Sequence, residues 1–335
     1  MTQVDALSLS ARSRTLASIL DMADGNLRDG GEIAARQWPT GLQPLDTYLG
    51  GGLRAGELTL LGGPQGLGKT TFALQIVRNV ASAGGTALYI CYEHDERELL
   101  ERMIGMESGL SSAQSLLLTD LRHNLRRQTP APGGLAARLG APGQGQKLVD
   151  SMAAYGEHLH FARAHGARTT VQHIKELING LPDQGVVVVD YLQKVAVPGD
   201  IATEDERVTR IVEGLKDLAL DANVPIVAIV AADKTGLGAG RTRLHHLRGS
   251  SALAYEADVA LMLNDKFGVV ARHHLMFDQG AAASFHDFVV CSIEKNRGGV
   301  DGIDLEFKKH FDEGRFDPVG RVVVEQLLDD RVYVE

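Results

Sequence analysis

A chain of 335 residues that is 44% hydrophobic is long enough to bury a sizeable core as one large domain with appendages. Its formal net charge of −9 excludes a surface that coats nucleic acid wholesale, while leaving room for local basic loops. No stretch approaches the roughly 18 consecutive apolar residues of a membrane span, the N-terminus lacks a signal-peptide pattern, and Cys91 and Cys291 both lie inside apolar runs as buried thiols, so a soluble, cytoplasmic protein with no membrane partner is expected.

Residues 1–36 are polar apart from one short stripe, Leu16, Ile19 and Leu20, which "DGNLRDGG" interrupts. This predicts a helical arm outside the core. A main domain over 37–335 then opens with strand, glycine loop, helix and strand. "ELTLLGG" (57–63) reads as a short apolar strand, Lys69 to Val80 as a helix, and "GTALYICYE" (85–93) as a second buried strand ending in an acid. Such alternation implies an α/β fold with a parallel sheet and crossover helices. Residues 121–147 break it: five Lys or Arg, three prolines and five glycines without an acid predict a mobile basic insertion. Helical segments follow. Then come "GVVVVDYLQ" (185–193), a helix over 205–220, the strand "VPIVAIVAA" (224–232), a basic loop, the strand "DVALMLN" (258–264), and final strands at 287–294 and 303–308.

"GGPQGLGKTT" carries Gly63, Gly68, Lys69 and Thr70 in the spacing G-x-x-x-x-G-K-T between a strand and a helix. The glycines let backbone N–H groups wrap phosphates, Lys69 supplies a cation for the β and γ oxygens, and Thr70 offers a hydroxyl to magnesium. The positive end of the following helix faces the same anion. An acid is then needed for the magnesium shell, and Asp190 ends the apolar run "VVVVD" where ligands bind in open parallel sheets. Glu93 ends the neighbouring strand, placed to orient or deprotonate water near the γ-phosphate.

With these residues in place, the chain resembles the motor domain of DnaB-type replicative helicases, within the RecA, RadA and KaiC superfamily of P-loop ATPases. The likeness runs from about Pro39 to about Phe316 through "TGLQPLDTYLGGGLRAGELTLLGGPQGLGKTTFALQ", "YEHDERELLERM", "VVVVDYLQKV", "LALDANVPIVAI", "LRGSSALAYEADVAL" and "IEKNRGGVDGIDLEF". It implies a RecA-like core, a mostly parallel twisted sheet flanked by helices, with a C-terminal antiparallel hairpin. It implies ATP and Mg2+ as cofactors, with the nucleotide held by Gly63, Pro64, Gln65, Gly66, Leu67, Gly68, Lys69, Thr70 and Thr71, and magnesium by Thr70 and Asp190. Glu93 matches the family's catalytic glutamate. Lys295 and Arg297 in "EKNR" match a segment whose cations reach the γ-phosphate of the adjacent subunit, so a homo-oligomer, a hexameric ring, is implied.

Two departures stand out. The 36 residues ahead of the resemblance take the place of the large primase-interacting domain of replicative helicases, so loading and primase coupling are not expected to carry over. Ala231 stands where the family usually has a polar sensor, commonly glutamine, leaving Asp233 or Lys234 as substitutes. The loop that follows holds Lys234, Arg241, Arg243 and Arg248 without an acid from Lys234 to Tyr255. In the family this loop lines the central channel, which makes these four residues candidates for binding single-stranded DNA. Two functions therefore stand open: a DnaB-like helicase or translocase, and a KaiC- or RadA-like regulatory or assembly ATPase that moves no nucleic acid.

Overall fold

The computed structural model describes residues 14–31, 34–111, 115–141, 143–233, 236, 239–249, 251–277 and 279–329. The chain divides into two compact units, Met1–Arg36 and Gln37–Glu335. In the first, the helix α1 spans Leu16–Arg28, opened by Thr15, whose Oγ1 accepts from the Ser18 N–H at 3.2 Å. None of its residues is buried, so the Leu16, Ile19 and Leu20 stripe faces solvent within this unit.

The second unit is built on a ten-stranded sheet. Six of its strands are parallel: β1 (Leu58–Gly62), β2 (Thr86–Cys91), β3 (Leu159–Arg163), β4 (Gly185–Asp190), β5 (Ile226–Ile229) and β6 (Val259–Asp265). Beyond β6 the direction reverses in β7 (Phe288–Asn296) and β8 (Ile303–His310), an antiparallel hairpin edged by the two-residue strands β9 (Arg315–Phe316) and β10 (Arg321–Val322). The order β9-β8-β7-β6-β1-β5-β4-β2-β3 places β1 near the middle, and the expected RecA-like architecture with its C-terminal hairpin is borne out.

The apolar runs read as strands because both faces of the sheet are covered. Alternate side chains divide between two cores. Leu61, Tyr89, Val186 and Val188 join one with Phe72, Ile76 and Val77 of α2 (Lys69–Ser82). Leu58, Leu60, Val187 and Val189 join the other with Val208, Ile211, Val212 and Leu215 of α3 (Glu204–Ala222). Full burial of each large side chain contributes about 2 kcal/mol before the loss of chain entropy is counted. Helix α3 starts where Thr203 accepts from the Glu206 N–H at 3.1 Å and ends at Asn223, whose φ of 52° stops the helix in the left-handed region.

Two expectations need correction. The edge strand β3 lies where only helical segments are expected, because its sequence "LHFAR" is short and only half buried. The 121–147 stretch is not a bare loop. It holds the end of a helix over Leu118–Leu125, a turn of 3-10 helix at Ala136–Arg138 and the start of a helix over Gln144–Gly156. Leu121, Leu139 and Leu148 close a small core with Ile104 and Leu118, so apolar residues spaced too irregularly to show periodicity pack the segment down. Cys91 and Cys291 are buried free thiols.

Candidate nucleotide site

Strand β1 delivers the chain to Gly63, where φ is 137° and a Cβ would lie 2.4 Å from the Leu263 carbonyl oxygen. Only glycine passes this point. Gly68, with φ at 79°, caps α2, and a Cβ there would lie 2.7 Å from the Phe311 ring. The turn folds Lys69 back over the loop, so that Nζ donates to the carbonyl oxygens of Gly63 at 2.8 Å and Pro64 at 2.7 Å. Burial pushes the Lys69 amine down to about 8, against the opposing pull of Asp190 and Glu93. An ammonium held this way, short of anionic partners, is poised to accept phosphate oxygens.

The acids come from β4, which adjoins β5, and from β2 beyond it. Strands β2 and β4 run parallel with Cys91 level with Asp190, so both chains leave the sheet at the same carboxyl end. Asp190 is 3% exposed. Its Oδ2 accepts from Thr70 Oγ1 at 2.9 Å and from the Tyr89 hydroxyl at 2.6 Å. Burial nevertheless raises its carboxyl above the ordinary range, those two hydrogen bonds notwithstanding. Glu93 lies two residues beyond β2 and is exposed. Lys69, Thr70, Glu93 and Asp190 line one cleft of about 1180 Å³. A hydroxyl and a carboxylate side by side are hard oxygen donors of the kind magnesium takes, and the glycine turn with its lysine suits a polyphosphate.

Lys295 and Arg297 are not at this cleft. Register places Asn296 beside Val259 and Val259 beside Thr59, so the hairpin tip is level with the start of β1 rather than its end. Gly63 is four residues further on, roughly 13 Å along the strand direction. At the tip, Lys295 Nζ donates to the carbonyl oxygens of Ala254 at 2.6 Å and Tyr255 at 3.2 Å. Arg297 donates to Asp258 Oδ1 at 3.2 Å and to the Tyr255 carbonyl. Desolvation, with the Arg297 charge beside it, lowers the Lys295 amine. Within the chain these cations therefore cap the C-terminal end of the short helix Ala252–Glu256.

The candidate nucleic-acid residues separate. Lys234 lies outside the described residues. Arg241 is a correction: it is 4% exposed, donates to Ser292 Oγ at 2.9 Å and pairs with Asp304. Arg243 is tied as well, to Glu294 at 3.2 Å and to Asp329 with Nε at 2.8 Å. A loop without acids in its own sequence is thus neutralised by acids from 294, 304 and 329. Arg248 remains open, its side chain 59% exposed and 3.7 Å from Glu204, and it lines the nucleotide cleft.

Sequence reasoning passed over three residues. Gln193, three positions after Asp190 in "DYLQ", is buried, and its amide accepts from the Ala231 N–H at 3.3 Å and donates to the Ala231 and Arg248 carbonyl oxygens at 3.4 and 2.9 Å. It thereby clamps the stem formed where Ala232 bridges Leu247. Gln193, in the 3-10 turn that follows β4, places a polar group against the Ala231 backbone, while Asp233 accepts from the Gly236 N–H at 2.6 Å. Arg102, in a helix over Glu96–Ser111, lines the same cleft as Gln65, and Tyr89 lies behind Asp190. The sequence signal for Gln193 was its place after the strand-ending acid. Arg102 and Tyr89 had no such signal, because only the fold turns Arg102 toward the cleft and sets Tyr89 against Asp190.

A family model described as "AAA domain" matches residues 32–236, more than half of the chain. The replicative DNA helicase DnaB of Treponema pallidum (strain Nichols) is 28% identical over 236 residues, covering 67% of this chain and 47% of that protein. The DNA repair protein RadA of Mycolicibacterium smegmatis is 44% identical over 85 residues, which are 25% of this chain and 18% of that one. Among solved structures, one described as an ATPase domain superposes with a TM-score of 0.69 at 18% identity, covering 91% of this chain and 98% of that one. A DnaB-like replicative helicase, described with its interactions with primase, gives 0.68 at 16% identity over 90% and 68%. The chain spans about half the length of the Treponema relative, and 22% of the DnaB of Rhodothermus marinus.

Proposed function

This chain belongs to the AAA domain family, and we propose that its DnaB-like ATPase domain is a Mg-ATP-dependent, ring-forming motor acting on single-stranded nucleic acid, with hydrolysis completed by the neighbouring subunit. One observation carries this reading: Lys295 and Arg297 stand at the end of the sheet opposite their own phosphate loop, so a γ-phosphate they could touch belongs to another copy. In the cleft, Lys69 leaves the carbonyl oxygens of Gly63 and Pro64 for the nucleotide phosphates, and Glu93 orients the attacking water from the mouth of the cleft. Thr70 and Asp190 would hold magnesium, which would supply positive charge against the nucleotide phosphates. Cations arriving from a second subunit then stabilise charge developing in transfer and make turnover depend on assembly.

A second reading, a regulatory or assembly ATPase that moves no nucleic acid, is favoured by the engagement of Arg241 and Arg243 in ion pairs. ATPase rate with and without single-stranded DNA, at low and moderate salt, separates the two. Stimulation that falls with salt and is lost in Arg248→Ala supports the motor. A flat response supports the regulator.

A further inference from the structure

We propose that Tyr89 is a positioning residue that fixes the Asp190 carboxylate for the metal-bound nucleotide, an inference that rests on reading the cleft as a Mg-ATP site. Tyr89 is fully buried in β2, in a parallel sheet whose interior is otherwise mainly Val, Ile and Leu. A phenol placed there must find a partner for its hydroxyl. Its strand neighbour is Val188 of β4, so Asp190, two residues on, is the diagonal neighbour on the same face. The ring reaches across that diagonal and donates at 2.6 Å to Asp190 Oδ2. Phe161 packs against the ring with centroids 6.2 Å apart, holding it from the β3 side.

Thr70 Oγ1 donates to the same oxygen at 2.9 Å. The two donors arrive from different layers, Thr70 from the helix above the sheet and Tyr89 from within the strand layer. Together they set the plane of the carboxylate. A metal at this site would claim an oxygen lone pair of Thr70, whereas the Tyr89 bond comes from within the core and would hold Asp190 whether or not the metal is bound. A phenylalanine at position 89 could fill the core equally well but would leave the carboxylate without this donor, so the hydroxyl is what the site uses.

The test is Tyr89→Phe, which keeps the ring and removes one oxygen. Binding of a fluorescent methylanthraniloyl-ADP is measured in EDTA and across a MgCl2 titration, with Mn2+ binding followed by electron paramagnetic resonance. The expected result is metal-free nucleotide affinity within about twofold of wild type and a Mg2+ half-saturation about tenfold higher. In an Asp190→Asn background the same change is expected to add nothing further, because its target is already altered. Tyr89→Met, similar in reach without the hydroxyl, guards against a packing artefact and should behave as Tyr89→Phe. Unchanged Mg2+ half-saturation, or equal losses of metal-free and metal-dependent binding in both variants, overturns the proposal. Wild-type protein that binds the nucleotide with no Mg2+ dependence overturns the reading of the cleft itself, a separate and recognisable result.

Discussion

Arg297 Nη1 lies 3.2 Å from Asp258 Oδ1, where β6 begins, and so faces away from the phosphate loop at the other end of the sheet. The pair is half open, with the Arg297 side chain 50% exposed, so it contributes no more than about 1 kcal/mol to the fold. Arg297→Ala should therefore fold normally and bind nucleotide within about twofold of wild type. Its turnover should fall by at least about a thousandfold, the scale of a trans-acting arginine. Steady-state ATPase beside equilibrium nucleotide binding checks this, and normal turnover in the variant ends the trans-acting role.

Lys69→Ala should behave in the opposite way. Among the described residues the ammonium donates to the carbonyl oxygens of Gly63 and Pro64, and burial pushes its pKa down to about 8. Removing it should leave the unliganded thermal midpoint unchanged or higher, while nucleotide binding weakens beyond detection at micromolar concentrations. Thermal scans with and without Mg-ATP give both readouts, and a ligand-induced shift equal to wild type contradicts the assignment.

Stability at acid pH should depend on Glu107. Its carboxylate accepts from Arg78 Nε at 2.8 Å and Nη2 at 2.9 Å, from Ser151 at 2.6 Å and from Tyr155 at 3.1 Å, tying α2 to two neighbouring helices. Burial raises the carboxyl, but these donors outweigh it and hold it below the usual range. The folded value being the lower one, this stabilisation is fully present above about pH 4.5 and is lost as pH falls through the folded value. Glu107→Ala should cost about 3–5 kcal/mol at pH 7, leaving Arg78 buried without its partner. Urea unfolding at pH 7 and pH 4 should show the gap between wild type and Glu107→Gln narrowing on the acid side.

Arg241 and Arg248 should differ sharply although both belong to one basic loop. Arg241→Ala strands Asp304 and should cost about 3 kcal/mol, so loss of nucleic-acid binding in it would reflect damage to the fold. Arg248→Ala should change stability by less than about 0.5 kcal/mol and lower the response of the ATPase to single strands. Unfolding midpoints for both variants decide whether the distinction holds.

Much of the fold was legible because it rests on local patterns. Fully buried parallel strands write themselves as runs such as "VVVVD", and a phosphate loop needs glycines at fixed intervals whatever surrounds it. What stayed hidden depends on partners distant in sequence. The strand Leu159–Arg163 is too short and too polar to announce itself, and it exists because β2 offers it a free edge. The leucines of the basic insertion are spaced irregularly, yet Leu121 and Leu139 close over Leu118 once the helices are placed.

The sequence by itself determined the layout of the candidate nucleotide site: the G-x-x-x-x-G-K-T turn and the acids at the ends of two apolar strands follow from backbone geometry and strand polarity, both local. Only the tertiary structure decided the fate of the charges. Arg241 and Arg243 are neutralised by acids 51 to 86 residues away, and Gln193 reaches the Ala231 backbone from the turn after β4. Lys295 and Arg297 are carried to the far end of the sheet because β7 runs antiparallel to β6. Charge is long-ranged and side chains are long, so what a cation meets is fixed by which strands lie side by side, and that is a property of the whole sheet.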